Sequence, residues 1–247
     1  MIESQQNGKV KHWSKLKRRK DRMKSNTFLI EGEHLIEEAL KSNWIVKELI
    51  VLENYNTDWL QQEKVVTTVV SDKIFATLAN TENPQGIMAE IEMREEKIQP
   101  HFQKVIMLDA IQDPGNAGTI VRTADALGFD AVLFGKGTVD LYNEKVIRAT
   151  QGSLFHIPVI TGDLEDWVYT LKKDGFIVWA TALENAQRLE ENKPPEKVAV
   201  LFGNEGSGVQ QELLQLADHR VYIPIKGQAE SLNVSIASGI IMYYLQQ

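Results

Sequence analysis

Residues 104–128 read KVIMLDAIQDPGNAGTIVRTADALG, and this stretch decides the architecture. Lys104–Leu108 is an apolar run of buried-strand type. Asn116–Leu127 follows as a helix, with Ile120, Val121, Ala124 and Leu127 at core spacing and Gly128 as its stop. Between them lies a polar loop, Asp109–Gly118, running into the helix start. The alternation continues downstream. Ala131–Phe134, Phe176–Ala180, Lys197–Phe202 and Arg220–Ile225 read as strands. Asn143–Thr150, Asp163–Lys173 (stopped by Asp174-Gly175), Val209–Leu216 and the long apolar Leu232–Leu245 read as helices. Strands alternating with helices predict an α/β fold, a parallel sheet covered by helices on both faces.

Upstream, residues 25–95 predict a smaller α/β unit. Leu35, Ile36, Ala39 and Leu40 mark an amphipathic helix, Asp58–Gln62 looks helical, and Ser71 caps a further helix. Val46–Leu52, Val65–Val70 and Ile87–Ile91 read as strands, with Asn83–Gly86 as a turn. Residues 96–103, charged and containing Pro100, suit a linker to the unit spanning 104–247.

Composition narrows the function. The 247 residues are 43% hydrophobic and 25% charged, which excludes collagen-like and wholly disordered classes. No apolar run is long enough to span a bilayer, and the first residues lack the apolar core of a signal peptide, so a cytoplasmic protein without a membrane partner is expected. With no cysteine there is no thiol catalysis, disulfide or cysteine-ligated metal. The five histidines do not cluster in sequence, so no metal site is expected. The net charge of −7 is unevenly distributed. Residues 1–24 hold nine basic side chains against two acidic ones, the rest 18 against 32. A basic arm on an acidic body is either a solvated terminus or a footprint for a polyanion. Lys15, Lys17, Arg18, Arg19, Lys20 and Arg22 are the candidate phosphate contacts, and Trp13 a candidate for stacking on a base.

Three glycine-containing loops each follow a strand, where open α/β sheets bind ligands. They are Asp109–Gly118, Gly203–Gly208 and Pro224–Asn233. None has the spacing of a dinucleotide fingerprint, a P-loop or a serine-hydrolase elbow. Arg122 is either an exposed helical arginine paired with Asp125 or an oxyanion partner at the crevice. Glu205 is either a solvated loop carboxylate or a site group. Ser231 and Asn233 suit the cap and first turn of the last helix.

Together the loops resemble the SpoU (TrmH-like) branch of the SPOUT RNA ribose 2′-O-methyltransferases. The matching segments are Asp113–Ala126, Phe202–Gly208, and Ile223–Ile225 followed by Ser231–Ala237, in that order. The segment before residue 95 is similar to the ribosomal-protein-like substrate-binding domain that accompanies this family. The resemblance implies a deep trefoil knot in the parallel domain, S-adenosyl-L-methionine as cofactor, and a homodimer joined through the knotted region. It implies that Gly203, Ile223 and Leu232 bind the cofactor, and that Arg122, Asn116, Glu205, Ser231 and Asn233 are catalytic, with Asn116 positioning Arg122 or the substrate and Glu205 orienting Arg122 or neighbouring loop groups. Ribosomal RNA is the expected substrate. The alternatives are a transfer-RNA 2′-O-methyltransferase and a non-catalytic RNA-binding or ribosome-assembly factor.

Overall fold

The computed structural model describes residues 1–60, 65–79 and 84–247. Its elements begin with α1 (Gly8–Lys15), α2 (Arg19–Ser25), β1 (Thr27–Glu31), α3 (Glu33–Lys41), β2 (Val46–Leu52), β3 (Thr67–Val70), α4 (Asp72–Leu78) and β4 (Ile87–Glu92). Next come β5 (Lys104–Leu108), α5 (Pro114–Ala126), β6 (Ala131–Phe134), α6 (Glu144–Thr150), β7 (Val159–Thr161) and α7 (Leu164–Lys173). The chain ends with β8 (Ile177–Thr181), β9 (Gln187–Arg188), β10 (Val198–Phe202), α8 (Gln211–Leu216), β11 (His219–Tyr222) and α9 (Val234–Tyr244). Two units result, one of residues 1–94 with 142–155, the other of 95–141 with 156–247.

The first unit is built on a four-stranded sheet in the order β1-β4-β2-β3, antiparallel except for the parallel β2/β3 pair. Residues 1–24 are not a solvated arm. Asn7 caps α1 by accepting from Lys9 N at 2.9 Å. Val10, Trp13 and Leu16 then bury into a core with Ile50, Val70, Ile74, Phe75 and Met88. Trp13 is 0% exposed, so it cannot stack on a base. Its indole Nε1 donates to Glu90 Oε2 at 3.1 Å, and Glu90 Oε1 lies 2.7 Å from His12 Nε2. Satisfying the indole N–H is what lets so large a side chain disappear into the interior. Asp58–Leu60 is a single 3₁₀ turn; the rest of the helix expected there, Gln61 and Gln62, lies outside the described residues, as does Asn83 of the expected turn.

Residues 142–155 differ from the sequence reading, which placed them in the large domain. They belong to the first unit because aromatic rings hold them there. Tyr142 packs tilted against Phe28 at 4.7 Å between centroids, and Phe155 meets Trp44 edge-on at 5.5 Å. Tyr142 Oη also donates to Arg94 O.

The second unit holds a seven-stranded sheet in the order β7-β6-β5-β10-β8-β11-β9, parallel throughout. Its central strands are continuously apolar, as burial on both faces requires: β5, β6 and β10 are almost wholly buried. The chain leaves β5 toward β6 and β7, then returns to build β8 to β11 on the other side. That reversal opens the crevice where ligands bind. The last helix begins at Val234, two residues later than the apolar pattern suggests, because Asn233 rather than Ser231 supplies the cap.

Candidate active site

The loops after β5 and β10 emerge side by side because Leu108 pairs with Phe202 at the ends of adjacent strands. Asp109 N donates to Phe202 O at 2.8 Å, extending that register by one residue. The buried Asp109 carboxylate accepts from Gln210 N at 2.7 Å and from the Gln210 side chain, tying both ends of the second loop to the first. Within the second loop, Asn204 and Gly208 exchange backbone hydrogen bonds of 3.0 and 2.9 Å. Gly203 is required by this closure. A Cβ there would lie 2.0 Å from the backbone of Gly208 and Val209, a contact no relaxation of a side chain could relieve.

Asp113 starts α5 by accepting from Asn116 N at 2.8 Å, with Pro114 at the first helical turn where its missing N–H costs nothing. This fixes Asn116 at the mouth of the crevice. Its side chain is fully directed. Nδ2 donates to Glu205 Oε1 at 3.0 Å, while Oδ1 accepts from Asn233 Nδ2 at 3.0 Å. Asn233 in turn caps α9, its Oδ1 accepting from Ser235 N, Ser235 Oγ and Ile236 N. One asparagine therefore joins all three loops. The α9 amides polarise Asn233, which donates to Asn116, which donates to the Glu205 carboxylate. Desolvation works against ionisation of Glu205. Asn116 and the backbone N–H groups of Glu205, Gln112 and Asp113 outweigh it and hold the carboxyl below its ordinary value of 4.5.

Arg122 stands apart from this network. It is exposed on α5 and forms no hydrogen bond or ion pair among the described residues. The expected pairing with Asp125 is not made, because Asp125 Oδ2 faces His156 Nδ1 at 3.0 Å. Of the alternatives for Asn116 and Glu205, the single chain displays contact with a neighbouring loop rather than with Arg122: the two side chains bond to each other. The guanidinium is left facing solvent, available to an anion. Ser231 is exposed and is not the helix cap. Leu232 is 37% exposed, an apolar side chain presented to solvent, and Ile223 is half-buried.

The third loop supports a cofactor fit. Residues 224–232 make no backbone–backbone hydrogen bond among the described residues, so their N–H and C=O groups remain for a ligand. Free backbone groups flanked by Ile223 and Leu232 are the donors and acceptors that a nucleoside with an amino-acid tail would use.

Sequence reading missed two participants. Asn204 links the first two loops through Nδ2, which donates to Ala110 O at 2.8 Å. Ala110 has φ 55°, a left-handed conformation costing an L-residue about 1–2 kcal/mol. The Asn-Glu-Gly order of the second loop was a legible turn signal for Asn204; nothing in the sequence marks Ala110.

The basic residues of the first unit divide sharply. Arg22 is buried, donating to Leu16 O at 2.8 Å and Lys17 O at 3.0 Å, so it is a structural cation rather than a phosphate contact. Lys17 is exposed but reaches Thr77 O at 3.0 Å, and Arg18 pairs with Asp21 at 2.7 Å. Lys15, Arg19 and Lys20 are exposed.

A parallel α/β domain with three loops meeting at the carboxyl edge, in a chain that also carries a smaller α/β unit, is a two-domain α/β protein with a crevice of the ligand-binding kind. Comparison with known proteins names the class. The SpoU rRNA Methylase family model matches residues 103–243, and a model described as the MRM3-like substrate binding domain matches residues 7–89. The chain is 48% identical over 245 residues to the 23S rRNA (guanosine(2553)-2′-O)-methyltransferase RlmP of Bacillus subtilis (strain 168), covering 99% of this chain and 98% of that protein. Among solved structures it resembles the AdoMet-bound rRNA methyltransferase from Sinorhizobium meliloti, with TM-score 0.91, 31% identity and coverage of 99% and 96% of the two chains. It also resembles the SpoU methyltransferase AviRb from Streptomyces viridochromogenes in complex with AdoMet, with TM-score 0.89, 25% identity and coverage of 98% and 97%. The chain belongs to the SpoU rRNA methylase family and is an S-adenosylmethionine-dependent RNA 2′-O-ribose methyltransferase.

Proposed function

We propose that the substrate is large-subunit ribosomal RNA and that methyl transfer takes place at the crevice organised by Asn116. The Asn116 bridge between Glu205 and Asn233 carries the placing of the reaction at this crevice, because it draws the three loops of the family into one polar network. The substrate in the name of the Bacillus subtilis relative, a guanosine in 23S rRNA, supports the choice of RNA.

Bound S-adenosylmethionine supplies a methyl group already activated on a sulfonium. Gly203, Ile223 and Leu232 would hold it, mainly through backbone groups, with the chain path of the knotted family topology closing the pocket. The protein's remaining task is to align a ribose 2′-hydroxyl and stabilise the charge that develops on its oxygen; alignment of this kind is worth several kcal/mol. Arg122 is the residue for that charge. A guanidinium does not give up its proton in a protein, so it acts as a permanent cation, gripping a phosphate and the developing 2′-oxyanion. Glu205, Asn116 and Asn233 position the loops, and the exposed Ser231 lies where the third loop meets substrate.

RNA is also held by Lys15 and Lys20, with Lys17, Arg18 and Arg19 contributing where their intrachain contacts give way to phosphate. The functional particle is a homodimer. On α9, Ile236, Ile240 and Tyr243 are 56, 41 and 65% exposed at positions i, i+4 and i+7, an apolar stripe with no cover in a single chain. Among the described residues no helix is long and apolar enough to cross a membrane. A ribosomal RNA substrate is what places the enzyme, in this reading, in the cytoplasm.

The test is transfer of label from S-adenosylmethionine to 23S rRNA lacking its own modifications, followed by nuclease digestion. The expected product is a single 2′-O-methylated nucleotide. Label confined to transfer RNA would overturn the choice of substrate, and absence of label from every RNA, including assembling particles, would favour a binding factor.

A further inference from the structure

Asn204 faces two ways. Its Oδ1 accepts from Gly206 N at 2.9 Å and Ser207 N at 3.2 Å, closing an Asx turn that shapes the second loop. Its Nδ2 donates to Ala110 O at 2.8 Å, in the first loop. Ala110 is where the chain turns left-handed on leaving β5, and alanine has no side-chain polar group to compensate for that conformation. Such strain persists only where the surroundings over-determine it, and it gathers at functional sites. Here the flanking residues are pinned: Asp109 N donates to Phe202 O, and Val139 N donates to Ile111 O. The Asn204 bond holds the carbonyl of the strained residue itself. Immediately downstream, the amides of Gln112 and Asp113 and the side chain of Asn116 meet Glu205.

We propose that Asn204 is a positioning residue for methyl transfer: its bond to Ala110 O clamps the first loop in its left-handed turn and so keeps the Asn116–Glu205 pair in register with the cofactor-binding backbone. The inference rests on the methyltransferase reading and extends it to a residue that acts through the first loop. Without the clamp the first loop populates relaxed conformations, and only the clamped fraction binds. Apparent cofactor affinity falls by that fraction, while turnover at saturating cofactor is retained, because binding selects the competent form.

The test uses three full-length variants. Asn204→Ser keeps a hydroxyl for the turn but is too short to reach Ala110 O. Ala110→Gly makes the left-handed conformation nearly free. The third carries both changes. S-adenosylmethionine binding is measured by calorimetry, and KM and kcat by methylation of unmodified 23S rRNA. Asn204→Ser is expected to bind cofactor roughly tenfold more weakly, the equivalent of one lost hydrogen bond, with kcat within about threefold of the parent. The double variant is expected to return to within about threefold of the parent in cofactor affinity, a rescue that general destabilisation of the fold would not produce. Unchanged affinity in Asn204→Ser, or a double variant as weak as the single one, would overturn the clamp. A parent chain that does not bind S-adenosylmethionine would overturn the reading beneath it and the clamp with it.

Discussion

The three-loop crevice and the basic N-terminal segment both stand out in the sequence, and the structure treats them differently. In the crevice, Asn116, Glu205 and Asn233, up to 117 positions apart, are joined by two hydrogen bonds of 3.0 Å. In the basic segment, neighbouring cations have divergent fates: Arg22 is buried on Leu16 O and Lys17 O, while Lys20 is in solvent. Loops at the ends of register-matched parallel strands must converge, so their order along the chain carries geometry. A run of like charges carries none. Which cations remain available is decided by helix phase, and the burial of Trp13 sets that phase for α1.

The largest effect should fall on the side of the comparison that looked least structural. Trp13→Ala removes a fully buried ring and strands Glu90 with one fewer donor. A loss of about 3–5 kcal/mol is expected, read as a lowered denaturation midpoint. Deleting residues 1–24 should do the same, so a truncated protein cannot report on RNA affinity alone. If Trp13→Ala melts like the parent, the segment is an arm after all.

A smaller effect is expected from Asn116→Ala, which cuts the link among the loops without opening the core. Cofactor affinity should drop about tenfold, in line with loss of a hydrogen bond to a charged group. The variant also has a pH signature. The Glu205 carboxyl is held below 4.5 in the folded protein, so its stabilising contribution is present above that value and fades as pH falls through the lowered one. Without Asn116 the titration should move up toward the ordinary glutamate value. An NMR titration of the Glu205 side chain that stays where it was would show that Asn116 does not hold the carboxylate.

The smallest effects should come from Lys15→Ala and Lys20→Ala. Stability should change by no more than about 0.5 kcal/mol, as for ordinary surface positions. RNA binding should lose salt dependence by about 0.7 in log–log slope for each phosphate contact removed from a single strand. An Arg22 variant should behave in the opposite way, losing stability first.

The sequence made much of the crevice legible. The β5–loop–α5 stretch, the stop at Gly128 and the buried β10 strand all follow from apolar spacing and cap chemistry. The ordered loops named the residues that meet. Less legible were features that depend on partners distant in the chain. Residues 142–155 pack with the N-terminal unit through Phe28 and Trp44, rings no local pattern connects to Tyr142 and Phe155. The left-handed Ala110 has no glycine to announce it. Asp125 turned to His156 rather than Arg122, a choice set by which group the fold brings near.

The central claim is that Arg122, exposed on α5 with no partner among the described residues, serves the transition state and not cofactor binding. The most direct measurement compares Arg122→Ala with the parent enzyme in two assays: S-adenosylmethionine affinity by calorimetry, and methyl transfer to unmodified 23S rRNA. The account predicts affinity within about twofold and transfer reduced by about 10²–10³-fold, the loss typical of removing one oxyanion donor. Transfer at the parent rate would contradict it, as would a loss of transfer fully explained by a cofactor that no longer binds.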